Sequence, residues 1–170
     1  SLTRHSNAGK GDCLFLAAAQ ALRNKGHSTR HRRLREQTAD YLQANPGIAE
    51  EAWDGLTPTA PAHQHPCTFE EYIVALRQLG AWGGLLELQV LAHLFPGTSF
   101  LVLGPHMSPT TVCADWQHPP NPTRRIHLWL QDGHFEWISS TVPDWVGDLV
   151  RAFDANTPVP DGPPTMQEAG

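Results

Sequence analysis

The apolar positions of the chain change period from one end to the other. Residues 13–23 (CLFLAAAQALR) are almost all strong helix formers and apolar on every side, which predicts a buried helix, with Asp12 where an N-cap acceptor belongs. Residues 29–44 are more polar. Leu34, Tyr41 and Leu42 share one face of a second helix there, and Asn45-Pro46-Gly47 reads as its stop. Thr68-Phe69-Glu70-Glu71 has the form of a capping box and opens an apolar helix that runs to Gly80. Residues 85–95 (LLELQVLAHLF) predict a fourth helix, ended by Pro96-Gly97. The period then shortens. Residues 99–103 form a brief apolar strand, and residues 126–130 and 135–138 flank Asp132-Gly133, a strong hairpin signal. Helices first and strands late predict an α+β fold, a small sheet flanked by helices.

Between these elements, residues 56–66 (LTPTAPAHQHP) and residues 104–125, which hold five prolines, carry no apolar periodicity and read as loops. Residues 157–170 hold four prolines among polar and small residues and could not bury enough surface to offset their ordering entropy. The expected organisation is one domain over residues 1–153 and a Pro-rich tail or linker over 154–170. A chain of 170 residues is large enough for a core without disulfide or metal staples.

Charge narrows the partners. A formal net charge of −5 argues against coating a nucleic acid, and no apolar run approaches the ~18 residues of a membrane span. Three cysteines, an odd number, favour a reducing compartment with at least one free thiol, hence a cytoplasmic setting.

One thiol stands out by position. Cys13 follows Gly9-Lys10-Gly11-Asp12 and opens a helix, where the macrodipole and the unpaired N–H groups favour a thiolate of lowered pKa. The glycines allow a tight bend, so that the N–H of Cys13 and those just before it could meet a developing oxyanion. A small buried residue at the start of a core helix is the competing reading. Among ten histidines, His134 is the informative one, because it follows the Asp132-Gly133 turn and begins a strand. Alternation puts His134, Glu136 and Ile138 on one face and Phe135 and Trp137 on the other, packed inward, so that Glu136 could orient the imidazole. An exposed hairpin with a polar edge fits the same spacing.

Gly11-Asp12-Cys13-Leu14-Phe15, then Tyr72 through Trp82-Gly83-Gly84 into residues 86–92 (LELQVLA), then His134-Phe135-Glu136, in that order, resembles the ovarian-tumour (OTU) family of papain-like cysteine proteases. The resemblance implies an OTU-type fold and a deubiquitinase that cleaves the isopeptide bond at the C-terminus of ubiquitin or a ubiquitin-like modifier. It implies Cys13 as nucleophile, His134 as general base, and Glu136 where the family usually carries Asn or Asp. The backbone N–H groups of Lys10, Gly11 and Cys13 become the implied oxyanion hole, with no cofactor and no metal required. Trp116, Arg124 and Arg125 lie in the region matching the family's variable ubiquitin-contacting loop. The chain departs from the family's Asp-Gly-Asn-Cys, because it reads Lys10-Gly11-Asp12-Cys13, so the loop needs other internal support. Two further readings are a viral or bacterial protease of this fold that processes a polyprotein, acting in the host cytoplasm, and a catalytically impaired ubiquitin-binding module. A monomer, or a part of a larger polypeptide, is expected.

Two clusters stay outside this scheme. His63, His65 and Cys67, with Cys113 and His118, could supply zinc ligands, but their spacing matches no common finger and incidental loop histidines are the stronger reading. Arg30-His31-Arg32-Arg33 with Arg35 is a basic run in an acidic chain, either a solvated face or a contact for an acidic partner.

Overall fold

The computed structural model describes residues 2–52, 68–121 and 124–140. The tail, the loop at 56–66, His63, His65 and Cys67, and the expected domain end near residue 153 lie outside the described residues. Within them, ten elements follow one another: β1 (Leu2–His5), α1 (Cys13–Asn24), α2 (His31–Ala44), α3 (Pro46–Ala52), α4 (Phe69–Leu76), α5 (Leu85–Leu94), β2 (Ser99–Gly104), β3 (Met107–Val112), β4 (Arg125–Gln131) and β5 (His134–Ser140). The result is α+β, as the change of period required.

The strands form one five-stranded sheet in the order β1-β5-β4-β2-β3, antiparallel except for the parallel pair β2 and β4. β2 is buried along its whole length, as a central strand covered on both faces should be. One face carries Phe100, Val102, Ile126, Leu128 and Phe135 into the main core, against Leu14, Phe15 and Leu22 of α1 and Leu88 and Leu91 of α5. The other carries a smaller cluster of Leu101, Leu103, Trp129 and Ile138. No helix among the described residues is long and apolar enough to cross a membrane.

Four expectations are corrected. β1 and β3 are strands that the apolar pattern does not announce. Both lie at sheet edges, where polar residues are tolerated and where Pro109 costs no ladder bond. Residues 104–125 are therefore not one loop, because 107–112 return along β2. Asn45-Pro46-Gly47 does end α2, yet Pro46 also begins α3, since a proline at the first helical position gives up an N–H that has no partner there anyway. α4 stops at Leu76 rather than Gly80, and the chain reverses through Gly80 at φ 84°. The capping box at Thr68 does form, with the Glu71 N–H donating to Thr68 Oγ1 at 3.2 Å.

Candidate functional site

Cys13 is the first residue of α1 and is 2% exposed. The backbone of the β4–β5 hairpin closes over its sulfur. The Phe135 N–H donates to Sγ at 3.4 Å, and Sγ lies 3.8 Å from the Gly133 carbonyl oxygen, so the peptide groups on both sides of His134 touch the thiol. Local sequence explains the placement. Asp132 and Gly133 both have positive φ, 52° and 76°, which is the two-residue turn that Asp-Gly favours, and it brings β5 straight back along β4 with Gln131 opposite His134. Trp82 packs against Gly133, close enough that a Cβ there would stand 3.2 Å from the indole ring.

The expected low thiol pKa is corrected. Burial pushes the Cys13 thiol up, outweighing the N–H groups of Phe135, Leu14 and Cys13 itself, which favour the thiolate. The helix start contributes, but a nearly dry sulfur keeps its proton.

His134 and Glu136 do share a face of β5. Nε2 of the ring lies 3.9 Å from Glu136 Oε2, too long for a hydrogen bond and within ion-pair reach once the ring is protonated. The other oxygen, Oε1, accepts from Arg4 Nε at 3.1 Å and Nη2 at 2.5 Å. Arg4 belongs to β1, which pairs with β5, and its guanidinium lies 6.0 Å from the Trp129 ring centroid. The carboxylate is thus split between a cation that fixes it and the imidazole it faces. On the opposite face of β5, Phe135 is buried in the main core and Trp137 stacks on His5 with ring centroids 4.0 Å apart. Asn7 Nδ2 donates to the Phe135 carbonyl at 2.9 Å and ties the segment before α1 to the same strand.

The loop ahead of Cys13 shows what replaces the missing acid at position 10. Lys10 is exposed and supports nothing inside. Asp12 makes no N-cap bond. Its Oδ1 instead accepts from Arg35 Nη2 at 2.7 Å and from the Gly80 N–H at 2.8 Å. Arg35 is 1% exposed, donates also to the Leu76 carbonyl at 2.9 Å, and lies with its guanidinium 4.7 Å from the Phe15 ring centroid. Gly11 packs on Gly80 so tightly that a Cβ would fall 1.6 Å from the Gly80 carbonyl oxygen. The Asp12 carboxylate is thus held by α2 and by the turn after α4. The first intrahelical bond of α1 runs from Leu16 N–H to Asp12 C=O, which leaves the N–H groups ahead of it without a helical acceptor, and those of Cys13 and Leu14 act on the sulfur.

Trp116, Arg124 and Arg125 are not brought to this end. Arg125 starts β4 beside Ser99 and Trp116 follows β3, whose last residue Val112 pairs with Phe100, so all three lie at the end of the sheet away from the Asp132-Gly133 turn. The turn between β2 and β3, with Pro105 and His106 exposed, is the one at the sulfur end. Cys113 is buried, while His118 is exposed and lies 2.9 Å from Asp115. Among the described residues no three His, Cys, Asp or Glu side chains converge to hold a metal.

Arg4 and Asn7 are supporting residues that the pattern of the sequence does not single out, whereas Trp82 stands in the motif that carries the resemblance. Arg35 stood in the basic run, but nothing there set it apart as the partner of Asp12.

A sulfur at a helix start, sealed by the backbone around a strand-borne histidine whose carboxylate neighbour shares its face, is the arrangement of papain-like thiol hydrolases. Residues 8–101 match the model of the OTU-like cysteine proteases, and the chain belongs to that family. It is 30% identical over 111 residues to Deubiquitinase OTUD6B of Xenopus laevis, covering 65% of this chain and 36% of that protein. It is 28% identical over 152 residues to human OTU domain-containing protein 1, covering 89% of this chain and 26% of that one. The chain thus spans about a third or less of the length of these relatives. An OTU deubiquitinase from Wolbachia pipientis wMel, solved bound to ubiquitin, shares the fold with a TM-score of 0.64 at 17% identity, over 82% of this chain and 96% of that one.

Proposed function

We propose that the chain hydrolyses the isopeptide bond at the C-terminus of ubiquitin, or of a ubiquitin-like modifier, through a thioester on Cys13. The observation that carries this reading is the contact of the Cys13 sulfur with both peptide groups that flank His134. Because burial favours the thiol, its proton moves to His134 as the sulfur attacks the carbonyl carbon of the terminal glycine. The N–H groups at the start of α1 receive the oxyanion, with Cys13, Gly11 and Lys10 supplying the backbone around it. His134 then gives its proton to the leaving lysine amine as the C–N bond breaks. Water enters, His134 takes its proton, and the thioester opens to a free carboxylate and a thiol. Glu136, fixed by Arg4, supports the protonated ring.

The test is a ubiquitin carrying an electrophilic C-terminus, with a panel of di-ubiquitins of every linkage. Labelling at Cys13 and cleavage of at least one linkage are expected, and Cys13→Ala loses both. A ubiquitin-binding module without turnover is the second reading, favoured by the burial of the sulfur; saturable ubiquitin binding with no labelling of Cys13 is its signature.

A further inference from the structure

The far end of α1 holds an open cavity of about 670 Å³, and its wall is basic. Arg23, His27, Thr29, Arg30, Arg32 and Arg33 line it, and among the described residues no carboxylate does. In a chain of net charge −5 this concentration is not a by-product of composition. Arg30, Arg32 and Arg33 are exposed, and among the described residues none of the three has an ion-pair partner.

The frame around them is fixed. α1 closes with the Gly26 N–H on the Arg23 carbonyl and the His27 N–H on the Leu22 carbonyl, both at 3.0 Å, and Arg23 Nη1 donates to the Thr29 carbonyl at 3.1 Å. α2 then begins with Arg30 as its N-cap, and the Arg30 side chain, a donor only, makes no capping bond. Three arginines beside the positive end of a 14-residue helix oppose its macrodipole and one another, which costs stability unless an anion joins them. Thr29 also lines the wall, but its hydroxyl oxygen is itself buried and is not presented to the cavity. Several guanidinium forks around one concavity at the positive end of a helix suit a compact, multiply charged oxyanion better than an extended acidic strand.

We propose that this cavity binds a phosphate group, borne either by a free ligand or by a phosphorylated residue of a partner protein. It lies the length of α1 from Cys13, about 16 Å at 1.5 Å per residue, so a molecule held there leaves the sulfur accessible to its own substrate.

Calorimetric titration of the full chain with inorganic pyrophosphate at low salt tests the site. Saturable binding is expected, weakened by added salt and weakened at least about tenfold in Arg32→Ala/Arg33→Ala. The urea midpoint of the arginine variant stays unchanged or rises, because repulsion at the helix start is relieved. A phosphoserine peptide that binds as pyrophosphate does assigns the group to a partner protein, and binding of pyrophosphate alone assigns it to a free ligand. No saturable heat with pyrophosphate, binding indifferent to the arginine variant, or a glutamate peptide bound as tightly as the phosphoserine one would overturn the proposal.

Discussion

The guanidinium of Arg35 stands 2.7 Å from the carboxylate of Asp12, so the residue just ahead of the sulfur is anchored to the second helix and not to its own. The two partners are unequally exposed, Arg35 at 1% and Asp12 at 23% of the side chain, and this decides which loss is worse. Asp12→Ala strands a buried cation and is expected to cost about 3–5 kcal/mol. Arg35→Met leaves a carboxylate that water can reach and fills most of the volume, so its cost is smaller. Urea unfolding of the two variants gives the order, and the reverse order would show that the pair is not the anchor.

Gly11→Ala meets the Gly80 carbonyl oxygen, which backbone cannot yield cheaply. A loss of about 1–3 kcal/mol is expected from the forced displacement. Labelling of Cys13 by the ubiquitin electrophile should fall with it, because the N–H groups beside the sulfur ride on the same loop. Lys10→Ala, at an exposed position, should change neither reading.

Arg4 touches the reaction only through Glu136 and is a positioning residue. Arg4→Met should lower kcat about tenfold with KM nearly unchanged, well short of the ~10²–10⁴ that a general acid–base group contributes. Arg4→Lys keeps the charge and loses the fork, so it should fall between wild type and Arg4→Met. A shift in KM alone would place Arg4 in substrate binding instead.

His127 is buried in β4, and burial, with Arg125 and Lys25 nearby, pushes it down to about 3. Below its ordinary value of 6.5 the unfolded chain takes a proton that the folded chain refuses until near 3, so this contribution is complete above 6.5 and is lost as pH falls. The slope is about 1.4 kcal/mol per pH unit. Urea midpoints of wild type and His127→Gln between pH 7 and 4 isolate it: the variant should lose stability less steeply, and parallel slopes would contradict the assignment.

How much of this was legible in the sequence depends on what each element has to bury. α1, α5, β2 and the β4–β5 hairpin announce themselves, because an apolar period or an Asp-Gly turn is the cause of their structure. β1 and β3 do not, since an edge strand with residues such as Thr3, Arg4, Ser108 and Pro109 is formed by its neighbour's free backbone. The residues of the candidate site followed the same division. Cys13, His134 and Glu136 could be read from turn and helix signals, helped by a family resemblance. Arg4 and Arg35 could not, because each gains its role only when strands or helices distant in sequence meet. The thiol ran opposite to expectation for a related reason: the helix start is local, but the burial that outweighs it is supplied by β5.

The four-residue edge strand β1 has a practical consequence. A protein trimmed to residues 8–101, the span that matches the family model, would keep Cys13 and discard Arg4 together with the strand it steadies. Even a version starting at residue 8 and retaining His134 and Glu136 would carry an intact cysteine, histidine and glutamate with the last of them unclamped. Such a fragment should fold around its main core and, on the proposed function, turn over only slowly, so weak activity from it would report where the cut was made rather than what the uncut site can do.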